Sequence, residues 1–243
     1  MISYDSVDAL RRFAEAQHIG YPLLSDQGSA VIRKFGILNT NVPPDVTRFY
    51  GIPFPGDYLI AADGTVKEKL FLPDYQDRPA ASLVLLNQFD TSVAGNTVTV
   101  TADDVQAKIV LSATQSYSGQ QLGVAVEFEV APGWHIYGEP LPEGYTPTSL
   151  KFDDQLVAAQ TLNLPKPEMV KFEAIGETFP VYHGNFKASG SVRLKQNLAP
   201  GEHTLAATLS FQECNNELCK IPQSVRVEIP IRIDPMVPAA PKG

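Results

Sequence analysis

Apolar and polar positions alternate with a period of two through most of the second half of the chain, and with a helical period only near its start. In 122–130, Leu122, Val124, Val126, Phe128 and Val130 share one face. In 224–233, Val225, Val227, Ile229, Ile231 and Ile233 do the same. Strict alternation of this kind predicts strands with one face buried. Further strands are expected at 97–101, 107–113, 149–152, 179–186, 190–194 and 205–211, with 134–137 following the Pro132-Gly133 turn. Short strands separated by turn signals at near-regular spacing predict an antiparallel sandwich. A polar turn is expected at 116–121, and a loop rich in Pro and Gly at 138–148.

The first ninety residues read differently. A short apolar strand is expected at 2–4. Ser6 is placed to cap a helix, with Asp8 in its first turn and Val7, Leu10, Phe13 and Ala14 on one face up to about His18. A second strand is expected at 21–26 and a short helix at 29–35, which Gly36 can end in the left-handed region. A loop over 39–56 leads to a strand at 57–60. Asp63-Gly64 turns it into a second at 66–72, and Arg78-Pro79 opens a last helix over 80–89. The fold class predicted is α+β in two domains: an incomplete α/β domain at 1–92, a linker at 93–104 with one short strand, an all-β sandwich at 105–233 and a flexible tail at 234–243.

Composition narrows the function classes. The 243 residues carry 27 acidic against 19 basic side chains, a formal net charge of -8, which argues against nucleic acid as a partner. No apolar run reaches the length of a membrane span. The start, Met1-Ile-Ser-Tyr-Asp5, lacks a charged stretch followed by an apolar core and does not read as a signal peptide.

The chemistry that stands out is Phe211-Gln-Glu-Cys-Asn-Asn-Glu-Leu-Cys-Lys-Ile-Pro222, which holds the two cysteines of the chain, Cys214 and Cys219. A four-residue loop between antiparallel strands makes its flanking residues cross-strand partners, with Cβ atoms about 4.5–5.5 Å apart, close to what a disulfide needs. Three readings follow from the residues. The pair can be a redox-active disulfide that opens without unfolding the hairpin. It can be a structural staple, contributing about 2 kcal/mol for so short a loop. It can hold zinc, which would need two further ligands, or remain as free thiols; His183 and His203 lack the spacing for a zinc site. Glu213 and Glu217 would raise a nearby thiol pKa, and Lys220 would lower it.

Residues 105–233 resemble the amino-terminal, immunoglobulin-like domain of the thiol:disulfide interchange protein DsbD. The residues that carry the likeness are Pro132-Gly-Trp-His-Ile-Tyr137, Gly176-Glu-Thr-Phe-Pro-Val-Tyr182 with Gly184-Asn-Phe186, and Cys214-x4-Cys219-x-x-Pro222. The resemblance implies thiol:disulfide interchange, with Cys214 and Cys219 as the exchanging pair and Cys219 as the sulfur that meets the partner. It calls for no cofactor and no metal. Its partners would be redox proteins: a thioredoxin-like or membrane electron donor, and periplasmic disulfide acceptors, with the protein itself in the periplasm or cell envelope. In the family an aromatic cap covers the pair. The matching position falls near Ala174, so Phe172 is expected to serve, with Trp134, His135 and Tyr137 lining the site.

Residues 1–90 resemble the peroxiredoxin and alkyl hydroperoxide reductase (AhpC/TSA) branch of the thioredoxin fold, through Ile2-Ser-Tyr-Asp-Ser6, Tyr21-Pro-Leu-Leu-Ser-Asp26, Phe35-Gly-Ile37 and Pro55-Gly-Asp-Tyr-Leu-Ile60. That resemblance makes Pro55 the expected cis-proline. It also implies a reactive cysteine ahead of the part that 2–4 matches, and no cysteine precedes Cys214. Met1 is therefore expected to be internal to a longer chain, since a sheet without its first strands leaves an exposed edge; the rival is a degenerate scaffold. Two further functions stand against interchange: an antioxidant peroxidase whose cysteine lies upstream of Met1, and a non-enzymatic binding module with a structural disulfide.

Overall fold

A computed structural model describes residues 1–71, 78–79, 96–172 and 176–235, and it divides into two compact units, 1–75 and 76–243. The first unit begins with β1 (Ile2–Ser3), α1 (Val7–Ala16), β2 (Leu24–Ser25) and α2 (Ala30–Lys34). The β1 strand pairs in parallel with β2. Ser6 caps α1, its hydroxyl accepting from the Ala9 N–H at 3.2 Å. Leu10 is the buried residue of α1, while Phe13 is exposed. Gly36 follows α2 at φ 68°, as its place after the helix predicts. A hairpin of β3 (Gly56–Ile60) and β4 (Val66–Phe71) closes the unit.

The Phe54–Pro55 bond is trans, so the expectation of a cis-proline there is corrected. Trans is the ground state of most X–Pro bonds, and Phe54 is held through its N–H, which donates to Ile37 O at 2.7 Å. The cis bond among the described residues is Glu139–Pro140. The helix expected over 80–89 lies outside the described residues. The Arg78–Pro79 pair forms the short strand β5, in parallel with 120–121; Pro's fixed φ suits extended backbone as well as a helix start.

The second unit is built from β6 (Thr97–Ala102), β7 (Val105–Leu111), β8 (Gln115–Ser116), β9 (Gln120–Val130), β10 (His135–Tyr137), β11 (Ser149–Phe152), β12 (Val157–Asn163), β13 (Glu168–Phe172), β14 (Glu177–Tyr182), β15 (Asn185–Leu194), β16 (Gly201–Phe211), β17 (Glu213–Cys214) and β18 (Gln223–Ile233). One sheet runs β12-β15-β9-β7-β6, with β5 beside β9, and a second runs β11-β16-β18-β8. Their alternating faces meet in one core that includes Ile109, Leu111, Leu122, Leu194, Leu205, Leu209, Ile229 and Ile231. The strand expected within the 93–104 linker is β6, which pairs along its whole length with β7 and so belongs to the sandwich. The expected single strand at 179–186 is two strands, broken at Gly184, whose φ of 60° makes the turn. The polar turn expected at 116–121 is shorter, because β9 already starts at Gln120.

A third sheet, β13-β14-β10-β17, sends Ile136 and Tyr182 into the same core and carries Cys214, which an isolated bridge pairs with Cys219. Among the described residues, no helix is long and apolar enough to cross a membrane.

Candidate functional site: a disulfide at the edge of the third sheet

The β16 and β18 strands pair in register from Gly201↔Ile233 to Phe211↔Gln223. Beyond Phe211 the chain leaves that sheet. The short strand β17 crosses to β10, where His135 lies opposite Cys214 and Ile136 opposite Glu213. The chain then turns at 215–218 and returns, so that Cys214 and Cys219 face each other as an isolated antiparallel pair. Asn215 builds the turn. Its N–H donates to Leu218 O at 2.9 Å, and its side-chain Oδ1 accepts from the N–H groups of Glu217 and Leu218 at 2.8 and 2.9 Å. The two cysteines form a disulfide with Cα atoms 4.0 Å apart.

The two sulfur-bearing residues sit in different environments. Cys214 is buried, in a cluster with Tyr137, Phe179 and Val181, against which Leu141, Tyr145, Val170 and Phe172 pack. Cys219 is exposed, and so are its neighbours Leu218 and Ile221, the latter 82% accessible. Tyr137 connects the two: its hydroxyl lies 3.5 Å from Cys219 Sγ, while its ring packs against Tyr145 and Phe179 at 5.3 and 5.4 Å between centroids. Burial, with the nearby Tyr145, pushes the Tyr137 hydroxyl up to about 12, so it remains a neutral donor at any physiological pH.

Phe172 ends β13 and lies 4.9 Å from the His135 ring and 5.8 Å from Phe179. It covers the aromatic cluster from the side of the β13–β14 hairpin. Ala174 lies outside the described residues. His135 is buried, and its Nε2 has no hydrogen-bond partner among the described residues. Burial first, then the charge of His183, pulls its pKa down to about 4. The Trp134 ring lies under Lys220, the residue after Cys219, whose ammonium sits 4.1 Å from the ring centre.

Below the disulfide lies a charge network that the sequence does not announce. Glu213 is completely buried and forms an ion pair with Lys220 Nζ, which also donates to Asp104 on the β6–β7 turn. The two residues are cross-strand neighbours as well, the Lys220 N–H donating to Glu213 O at 2.9 Å. Burial alone would lower the Lys220 pKa. The hydrogen bonds to Asp104 and Glu213, with the charges of Glu213 and Asp103, outweigh it and hold the ammonium at about 12. Glu213 therefore does not act on the cysteines as an unbalanced anion, and Glu217 is exposed on the turn. Gln212 fastens the same hairpin to the 138–148 loop. Its Oε1 accepts from Thr146 N–H at 3.1 Å and its Nε2 donates to Lys220 O at 3.1 Å. Among the described residues no group of three or more His, Cys, Asp or Glu side chains is placed to hold a metal.

The site is a disulfide with one buried and one exposed half, at the end of a β-sandwich. The family model for the N-terminal domain of the thiol:disulfide interchange protein DsbD matches residues 102–230. That is more than half of the chain, and the chain belongs to this family. The AhpC/TSA family model matches residues 1–69. The fold is thus a small thioredoxin-like α/β portion followed by an immunoglobulin-like sandwich. Among solved structures, the N-terminal periplasmic domain of ScsB from Proteus mirabilis is similar at 18% identity and a TM-score of 0.42, covering 56% of this chain and 51% of its own. The chain thus spans about half the length of that structure. The DsbD N-terminal domain of Neisseria meningitidis in its reduced form is similar at 20% identity and a TM-score of 0.31, covering 57% of this chain and 86% of its own. No curated protein matches the chain.

Proposed function

We propose that the protein relays reducing equivalents between proteins by thiol:disulfide interchange at Cys214–Cys219. The observation that carries this reading is the asymmetry of the pair: Cys219 open to a partner, Cys214 buried behind it. A thiolate of a reduced donor protein attacks Cys219 Sγ in line with the disulfide. The Cys214–Cys219 bond breaks, and its electron pair leaves on Cys214 Sγ. The donor's second thiol then attacks the mixed disulfide, releases Cys219 and leaves the donor oxidised. The two protons of the donor dithiol end, through water, on Cys214 and Cys219. The reverse sequence passes the same two electrons to an oxidised acceptor. The exposed side chains of Leu218 and Ile221 form an apolar collar beside Cys219 against which a partner can close.

The partners in this reading are a thioredoxin-like or membrane electron donor and periplasmic disulfide acceptors, with the protein in the periplasm or cell envelope. The domain limits in this reading are a first unit at 1–75 and a sandwich that takes in β5 and β6 and ends near 233. The test is the reduction potential by equilibration with glutathione. A value between about -180 and -270 mV supports exchange, and one below about -300 mV marks a structural disulfide and sinks the relay. In parallel, Cys214→Ser should accumulate a mixed disulfide through Cys219 when offered an oxidised protein disulfide, whose S–S bond the Cys219 thiolate opens with the electron pair leaving on the partner's second sulfur, and Cys219→Ser should not.

A further inference from the structure

His135 is 8% exposed, and its Nε2 finds no hydrogen-bond partner among the described residues. A buried polar nitrogen left unpaired is costly, roughly 1–3 kcal/mol, and calls for a reason. The sheet register supplies one. His135 stands directly opposite Cys214. Directly opposed residues project to the same face with Cβ atoms about 4.5–5.5 Å apart. The two also share surroundings: the His135 ring meets Phe172 and Tyr137, and both pack on the cluster that holds Cys214. In the disulfide the Cys214 sulfur carries no charge and no proton. Once the bond opens, the same sulfur becomes a buried anion in an aromatic pocket, the species most in need of a donor.

We propose that His135 is the hydrogen-bond partner reserved for the reduced state: when Cys219 is attacked and the electron pair leaves on Cys214 Sγ, Nε2–H of the neutral imidazole donates to that thiolate. This rests on the exchange reading above and deepens it. No proton leaves the ring in this step; the thiolate takes its proton afterwards from the donor dithiol through water. The depressed pKa of His135 agrees with a ring that stays neutral. His135 is then a residue that favours opening of the disulfide. It is satisfied in the dithiol form and unsatisfied in the disulfide form.

The test compares the whole chain with two variants in glutathione equilibria. His135→Phe keeps an aromatic ring and removes the donor; His135→Gln keeps a donor. The Phe variant should shift the equilibrium about tenfold toward the disulfide, which is about 30 mV more negative, and the Gln variant should recover most of that shift. A Phe variant within twofold of the parent overturns the proposal, as does a Gln variant no better than Phe. Should the Phe variant fail to fold, nitrogen NMR of the parent decides: the His135 Nε2 resonance must move on reduction with dithiothreitol, and an unchanged resonance overturns the assignment. The ratio between variant and parent tests His135 alone. A parent disulfide that resists glutathione altogether overturns the relay instead, and the two failures are therefore distinguishable.

Discussion

The sandwich core and the cysteine sheet are two kinds of interior within one unit. The core between the two large sheets is filled by aliphatic side chains, many wholly inaccessible, such as Ile109, Leu122, Leu194, Leu209 and Ile229. The interior around the disulfide holds Tyr137, Tyr145, Phe172 and Phe179, a buried histidine, and a fully buried glutamate paired with a lysine. The first kind of interior gives stability by area removed from water. The second gives less stability for its size and more control over charge, because burial makes each polar group in it depend on its neighbours: Glu213 on the Lys220 ion pair, and His135 on a partner its Nε2 lacks while the disulfide is closed. A redox site needs the second, held in place by the first.

Substitutions can separate the two regions. The largest effect is expected in the aliphatic core: Ile229→Ala should cost about 4 kcal/mol of unfolding free energy, read from urea midpoints, while leaving the cysteine potential unchanged. A shift of potential with Ile229→Ala would break the separation. Lys220→Met leaves the Glu213 carboxylate buried and uncompensated and should cost about 3 kcal/mol. The double variant Glu213→Gln/Lys220→Met should regain most of it, measured the same way.

Acid sensitivity belongs to the cysteine sheet too. His135 is neutral in the fold down to about pH 4, against an ordinary value near 6.5. Between these values the unfolded chain binds a proton that the folded chain does not, so stability falls as pH drops from about 6.5 to about 4. The loss should reach at most about 3 kcal/mol, and His135→Phe should flatten the slope. Cys219→Ser should cost about 2 kcal/mol, the loop-entropy value for so small a ring, with the far-UV spectrum unchanged. Severe unfolding of that variant would make the disulfide a staple. The smallest change is Tyr137→Phe, which should alter stability by less than about 1 kcal/mol and slow exchange at Cys219 a few-fold in a thiol-trapping assay.

Strands with one face in the core were legible because burial imposes alternation on them, as Val225 to Ile233 in β18 and Leu122 to Val130 in β9 show. The edge strand Val157–Asn163 was not, since most of its residues are exposed and its shape comes from pairing with β15. The β17 strand was hidden for a related reason: two residues carry no period, and only their pairing with β10 makes them a strand. The site was legible in part. Cys214, Cys219, His135, Tyr137 and Phe172 come together and Trp134 packs on Lys220, the residue after Cys219, whereas Pro55 is trans. Tyr145 lay in a loop whose Pro and Gly content masks its packing, and Asp104 lies 116 residues from the lysine it binds.

The sequence by itself determined what short-range chemistry can determine: two cysteines four residues apart, able to close across a turn; an N-cap at Ser6; and the inward faces of the long strands. The tertiary structure alone decided which half of the disulfide is buried, that Lys220 is bound by Asp104 and Glu213, and that His135 stands opposite Cys214. Each of these depends on the register between strands far apart in the chain. Register is set by the summed burial of whole strands, so no local spacing encodes the neighbour that a given side chain meets.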